Sequence, residues 1–183
     1  MDKNFFDMLE RRRSIRSFTD TKVSKEDIEM LISASLTAPS SKNSQSSGFV
    51  VVEDGELIEK FADMRDYGSS FVKGAPLVVL VMGDERVSDM WETNAAISAT
   101  YLQLSAEALG LGSCWVQVSG RPRRKDDPQG VTVEEYLKGL VSVPEGMRIL
   151  CAVAIGHPAA EDKVSVRKIR SESERVIYVP AEK

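Results

Sequence analysis

Apolar residues recur at helical spacing at Phe5, Met8 and Leu9, and that pattern runs into Arg11-Arg12-Arg13. Ser14 to Phe18 then alternates polar and apolar positions and predicts an extended stretch. Ser24 with Asp27 resembles a capping box, opening a helix whose apolar face is Ile28, Leu31, Ile32 and Leu36 and which ends before Pro39. Pro39 to Ser47 reads as a polar loop, Phe49 to Val52 as a buried strand and Leu57 to Met64 as a short helix. Leu77 to Met82 predicts a second strand. The longest helix is predicted over Ser88 to Leu109, with Trp91, Ala95, Ser98, Leu102, Ser105 and Leu109 along one stripe. Its small residues Ala95, Ala96, Ser98, Ala99 and Ala106 would let another helix approach closely.

Gly110 to Gly112 stops that helix, and Ser113 to Val118 predicts a third strand. Gly120 to Gly130 reads as a charged loop, Val133 to Leu140 as a short helix and Met147 to Ile155 as a fourth strand. The tail from Glu161 is polar until Val176-Ile177-Tyr178-Val179, an apolar, strand-like run. Helices and strands interleave, so the class is α/β or α+β. With 183 residues and no internal repeat, residues 1–183 read as a single domain.

Composition narrows the function classes. The hydrophobic fraction is 42% and the charged fraction 28%, an ordinary globular balance. A formal net charge of −4 argues against a general nucleic-acid binder. The basic run Arg121-Pro122-Arg123-Arg124-Lys125 is followed at once by Asp126-Asp127 and reads as a solvated loop. Cys114 and Cys151 lie in apolar stretches without CxxC spacing, and His157 is the only histidine, so no zinc site is expected. The first ten residues lack the apolar core of a signal peptide, and Ala75 to Met82 is too short to span a bilayer. The expectation is a cytoplasmic protein with no membrane partner.

Three segments look built for an anionic, ring-bearing ligand. In Arg12-Arg13-Ser14-Ile15-Arg16 an extended backbone would send Arg12, Ser14 and Arg16 to one face, where guanidinium and hydroxyl groups can hold a phosphate. Ala38-Pro39-Ser40-Ser41-Lys42-Asn43-Ser44-Gln45 offers hydroxyls and amides suited to a polar ring edge or a polyol chain. Leu109-Gly110-Leu111-Gly112-Ser113-Cys114-Trp115 carries glycines that permit close approach of backbone to a flat ligand. Each also has a plainer reading: a cationic helix end, a surface loop, and a helix stop before a strand.

In that order and together, the three segments resemble the nitroreductase family of FMN enzymes, over most of the chain from Phe5 to Ile155-Gly156-His157-Pro158. The resemblance implies an α+β fold, a three-layer α/β/α arrangement around a mainly antiparallel sheet, with a long dimerisation helix and a C-terminal arm. It implies a homodimer with composite FMN sites, reduced by NADH or NADPH and oxidised by a small-molecule acceptor, with no catalytic side chain required. Arg12, Arg13 and Ser14 match the positions at the FMN phosphate and ribityl chain, and Arg16 the basic position beside N1/O2 of the ring. Pro39, Ser40, Ser41 and Asn43, with Gln45, match the loop reaching the flavin from the partner subunit. Asn94 aligns with a polar position that touches ring or ribityl. Trp115 and Val116, with Gln117, align with the strand end near N5. Lys168 and Arg170 resemble a C-terminal basic pair at the phosphate. The chain departs from the pattern at Ser46-Ser47, where Pro-Trp is usual, and at Gln117-Val118, where Gly-Gly or Glu-Gly is frequent. The resemblance also admits other uses of reduced flavin, such as dehalogenation, dehydrogenation or flavin breakdown, and a binding protein without turnover.

Overall fold

The computed structural model describes residues 3–159 and 175–179. The helices are α1 (Lys3–Arg11), α2 (Lys25–Leu36), α3 (Gly55–Ala62), α4 (Trp91–Ala108) and α5 (Val133–Lys138). The strands are β1 (Ser47–Val52), β2 (Leu77–Asp84), β3 (Gly112–Gln117), β4 (Pro122–Arg124), β5 (Asp127–Thr132) and β6 (Met147–Gly156). Four of them form an antiparallel sheet in the order β1-β2-β6-β3. The fold is α+β, as expected.

β2 is fully buried because both sheet faces are covered. Val78, Leu80 and Met82 point into one core, with Ile58 and Phe61 of α3 and Val133 and Leu137 of α5. Leu77, Val79 and Val81 point into the other, with Leu31 of α2 and Ala95, Ala99, Leu102 and Ala106 of α4. The alternation is that of a pleated strand between two apolar layers, which explains why its sequence reads as an unbroken apolar run.

Three expectations need correction. The small residues of α4 do not form a free face. Ala95, Ala99 and Ala106 are completely buried and Ser98 is 3% exposed, against the chain's own sheet and α2. The close approach they permit is to α2, not to a second copy of α4. The charged stretch after Gly120 is no open loop, since β4 and β5 pair as a hairpin. Arg123 lies over the Tyr136 ring at 4.0 Å and pairs with Asp63, while the Lys125 amide donates to Asp66 at 2.8 Å. Those acids and that ring, distant in sequence, absorb the basic run. Val176 to Val179 is not a strand; it has no regular structure and Ile177 is 91% exposed.

Both cysteines are buried thiols, and burial pushes the Cys151 thiol well above its ordinary range. A neutral, enclosed thiol behaves as a small apolar side chain. No helix among the described residues is long and apolar enough to cross a membrane.

Candidate active site

α1 stops at Arg11, and the stop is built from the arginines that follow. Arg11 pairs with Glu107 of α4 at 3.3 Å. Arg13 turns back on the helix end, donating to the carbonyls of Glu10 and Arg12. This is how a cation satisfies the last carbonyls of a helix and its dipole. The structure thus gives Arg13 a task at the end of α1.

Beyond this stop the chain is extended and lies beside the start of β3. Ser14 bridges Ser113 in parallel, and the Ile15 amide donates to the Ser113 carbonyl at 3.0 Å. Gly112 makes this possible, since a Cβ there would meet the Ile15 side chain at 2.8 Å. Gly110, at φ +74°, supplies the left-handed turn that ends α4. The glycine pair therefore serves the docking of the arginine-bearing segment. Ser14 and Arg16 are exposed and Arg12 is half-buried, while the Arg16 guanidinium lies 5.7 Å from the centre of the Phe71 ring.

A concavity of about 830 Å³ lies between α1, the end of α4 and Pro158. It is lined by Arg13 and Ile15, which alternate with Ser14 and Arg16, so it opens on the other side of the extended segment. It does not coincide with the predicted ligand face.

At the far end of β3, the Trp115 indole donates to Gln117 Oε1 at 3.0 Å and Gln117 Nε2 donates to the Ser119 carbonyl at 3.1 Å. Ser119 Oγ donates to Glu92 of α4 at 2.6 Å. The Gln117 side chain is thereby fixed. Val116 points into the core, so only its backbone is available to a ligand.

The loop from Pro39 to Ser46 has an unusual backbone. Lys42, Asn43 and Gln45 stand at φ 52°, 51° and 49°. Left-handed geometry at a residue with a Cβ costs roughly 1–2 kcal/mol, so three in four positions must be held by something else. What holds them is Asn94, 1% exposed on the first turn of α4. Its Oδ1 accepts from the Ser41 amide at 2.9 Å. Its Nδ2 donates to Ser46 Oγ at 2.9 Å and to Ser44 Oγ and Ser88 Oγ at 3.2 Å. One turn further along α4, Ser98 donates to Ser47 Oγ at 2.9 Å. Sequence reading missed Ser44, Ser46, Ser88 and Ser98. The available signal was a serine-dense loop in a chain whose longest helix carries Asn94 and Ser98 four positions apart, hence on one face.

The loop and the arginine segment are anchored at opposite ends of α4, while the end of β3 is tied through Ser119 to Glu92, close to the loop's anchor. The loop is tied to Asn94, and the arginine segment is braced through Arg11 to Glu107, 13 residues later along the helix and roughly 20 Å away. The loop and the arginine segment also flank opposite edges of the sheet, β1 and β3. His157 enters through its backbone, its carbonyl accepting from the Thr19 amide at 2.9 Å. Lys168 and Arg170 lie outside the described residues.

Comparison with known proteins gives the family. The model of the nitroreductase family matches residues 9–65 and 62–157. A protein of Archaeoglobus fulgidus, provisionally named an NADH dehydrogenase/NAD(P)H nitroreductase, is 32% identical over 158 residues, which is 84% of this chain and 85% of that protein. An FMN reductase (NAD(P)H) of Bacillus subtilis is 30% identical over 169 residues, 80% of this chain and 63% of its own length. Among solved structures, an FMN-dependent nitroreductase from Clostridium difficile superimposes with a TM-score of 0.84 at 32% identity, covering 96% of this chain and 99% of that one. The chain belongs to the nitroreductase family.

Proposed function

We propose that this nitroreductase-family chain is an FMN-dependent oxidoreductase that moves electrons from NADH or NADPH to a small acceptor such as a nitroaromatic or a quinone. Residues 1–183 act in it as one FMN-binding domain, and two copies form the working unit. Relatives named as an FMN reductase and an FMN-dependent nitroreductase support the cofactor. The donor set of this chain fits it. Arg12 and the exposed Ser14 hydroxyl supply charge-assisted and neutral hydrogen bonds for a phosphate and the polyol chain. Arg16 supplies a fixed cation for the ring edge at N1/O2. The end of β3 at Trp115 to Gln117 offers backbone for the N5 side.

When bound, FMN supplies the hydride and electron chemistry, taken from NAD(P)H and passed to the acceptor in turn over one ring face. The protein orients and polarises. Arg16 favours the negative charge that gathers beside it on reduction, because a preorganised cation needs no rearrangement to meet that charge. Its stacking against Phe71 limits the directions the guanidinium can take. Gln117, tied to Trp115 and Ser119, gives the strand end a neutral and rigid side chain. Water suffices as the proton source, so no general acid is assigned.

One observation carries the reading: the Ile15–Ser113 hydrogen bond joins the first and third sequence motifs into one surface. The second motif is the partner's contribution. Anchored roughly 20 Å from the first along α4, the Pro39–Asn43 loop serves the FMN of the other subunit. The direct test is the visible spectrum of the purified protein. A yellow protein that releases FMN on denaturation and bleaches with NADH or NADPH is expected. A colourless protein that takes up no added FMN at micromolar concentration would overturn the assignment.

A further inference from the structure

We infer that Asn94 is a positioning residue: without touching the cofactor, it clamps the Pro39–Ser46 loop in the left-handed conformation that presents Pro39 to Asn43 to the neighbouring flavin. The flavin half of this inference rests on the function proposed above, and the clamp itself does not.

The donor hydrogens of the Asn94 amide are fully taken up by serine hydroxyls. The Ser41 backbone N–H can only donate, so it fixes Oδ1 as the atom facing it and the remaining Nδ2 as the donor. Nδ2 then meets the hydroxyls of Ser44, Ser46 and Ser88, three acceptors for two hydrogens. At 1% exposure the side chain is enclosed by the loop it holds. Asn94 reads as cofactor-binding by alignment, and the hydrogen bonds assign it to the loop instead.

The bonds fall where the backbone needs them. Ser41 precedes the left-handed pair Lys42 and Asn43, Ser44 lies between that pair and left-handed Gln45, and Ser46 follows it. Inside the loop, Ser40 Oγ accepts from the Gln45 amide at 2.9 Å, closing the turn across the strained residues. Beyond it, the Ser46 carbonyl accepts from the Asp84 amide at 2.8 Å and Ser47 is held by Ser98. Ser46 and Ser47 occupy the positions where Pro-Trp is usual in the family. There a ring-locked φ and a large aromatic can stiffen the chain; here hydroxyls aimed at α4 do so. The departure at Ser46-Ser47 and the polar residues of α4 are two halves of one device. Because α4 carries the clamp, any packing of α4 or α2 against a second subunit fixes the loop relative to that subunit's flavin site.

The test compares Asn94→Ala and Asn94→Asp with the wild type in the full-length protein. Two quantities are measured: hydrogen exchange of the peptide spanning residues 39–47, without flavin, and the Kd for FMN. In Asn94→Ala the peptide should exchange about tenfold faster and FMN should bind about tenfold more weakly, the loss of one to two side-chain hydrogen bonds. Exchange in β2 should stay unchanged, which separates loop release from general unfolding. Asn94→Asp should stay within about threefold of wild type in both, because a carboxylate accepts from the Ser41 amide and the serine hydroxyls can turn to donate. Wild-type exchange in Asn94→Ala would overturn the clamp, and so would Asn94→Asp as impaired as Asn94→Ala. Weaker FMN binding in Asn94→Ala with an unaltered loop would mean direct contact with the cofactor, and would overturn the positioning role. Wild-type protein that takes up no FMN would remove the function proposed above, while the exchange contrast, which needs no flavin, still decides the clamp.

Discussion

At the scale of single residues, neighbouring arginines do different work, and sequence alone does not divide it. Arg11 braces α1 against Glu107, and Arg13 satisfies the carbonyls at the end of α1. Arg12 and Arg16 are the two proposed above to face the ligand. Their roles should separate on substitution. Arg12→Ala should weaken FMN binding by about 1.5–3 kcal/mol, the worth of a hydrogen bond to a charged group. Arg16→Ala should lower the reduction potential of bound FMN, with a smaller effect on affinity, since its cation favours the reduced state. Titration of FMN fluorescence measures the first and a spectroelectrochemical titration the second. An unchanged potential in Arg16→Ala would refute its assigned place beside N1/O2. Arg13→Ala serves as the contrast: it should cost helix-end stability more than FMN affinity.

At the scale of elements, long apolar patterns were legible and segments shaped by distant partners were not. β2, β6 and α4 follow from unbroken or periodic apolar runs, within a residue or three at their ends. The β4–β5 hairpin was invisible because Pro-Arg-Arg-Lys-Asp-Asp lacks any strand alternation; it exists because Asp63, Asp66 and Tyr136 receive it. The loop motif was legible as a polar segment, yet its left-handed backbone follows from Asn94, 53 residues beyond Ser41. α5 shows the same dependence on remote contacts. Its Glu134 is 8% exposed and accepts from Arg148 at 2.9 Å, from Lys138 at 3.0 Å and from the Ile149 amide at 3.0 Å. Burial pulls this carboxyl upward, but the hydrogen bonds of Arg148, Lys138 and Ile149 together outweigh it and hold it below its ordinary value of 4.5. A carboxyl lowered in the folded state contributes stability that is complete above its unfolded pKa and is lost as pH falls through the folded one. Glu134→Gln should therefore cost about 2 kcal/mol at neutral pH, and the gap to wild type should narrow as the solution is acidified below pH 4.5. Urea unfolding at a series of pH values reads this directly. A gap that stays constant into strong acid would show that packing, not ionisation, is its source.

At the scale of the whole molecule, the sheet and α4 hold the arginine segment and the polar loop apart. The arginine segment docks on the edge strand β3, and the loop leads into the opposite edge strand β1. Two strands lie between those edges, about 14 Å across the sheet, and the anchors on α4 add roughly 20 Å along the helix. This separation is why we propose that the loop serves a second copy. The surface carries apolar groups that such a copy would cover. Phe5 and Phe6 of α1, Met30 and Leu36 of α2 and Tyr101 of α4 are all more than a third exposed, and so are Val176 to Val179. Exposed apolar residues at that point suit an arm laid across a neighbour. Ala95, Ser98, Ala99 and Ala106 are buried inward, so the proposed twofold contact should involve the opposite side of α4, around Tyr101, together with α1 and α2. Sedimentation should find the intact protein dimeric at micromolar concentration. A chain ending at Arg175 should dissociate more readily and lose FMN in the same concentration range, because each flavin depends on both subunits. Tyr101→Arg, which sets like charges facing each other across a twofold contact, should give the same paired loss without shortening the chain. A stable monomer holding one equivalent of FMN would show that the site is not shared, and the assignment of Pro39, Ser40, Ser41 and Asn43 to the partner's flavin would fall with it.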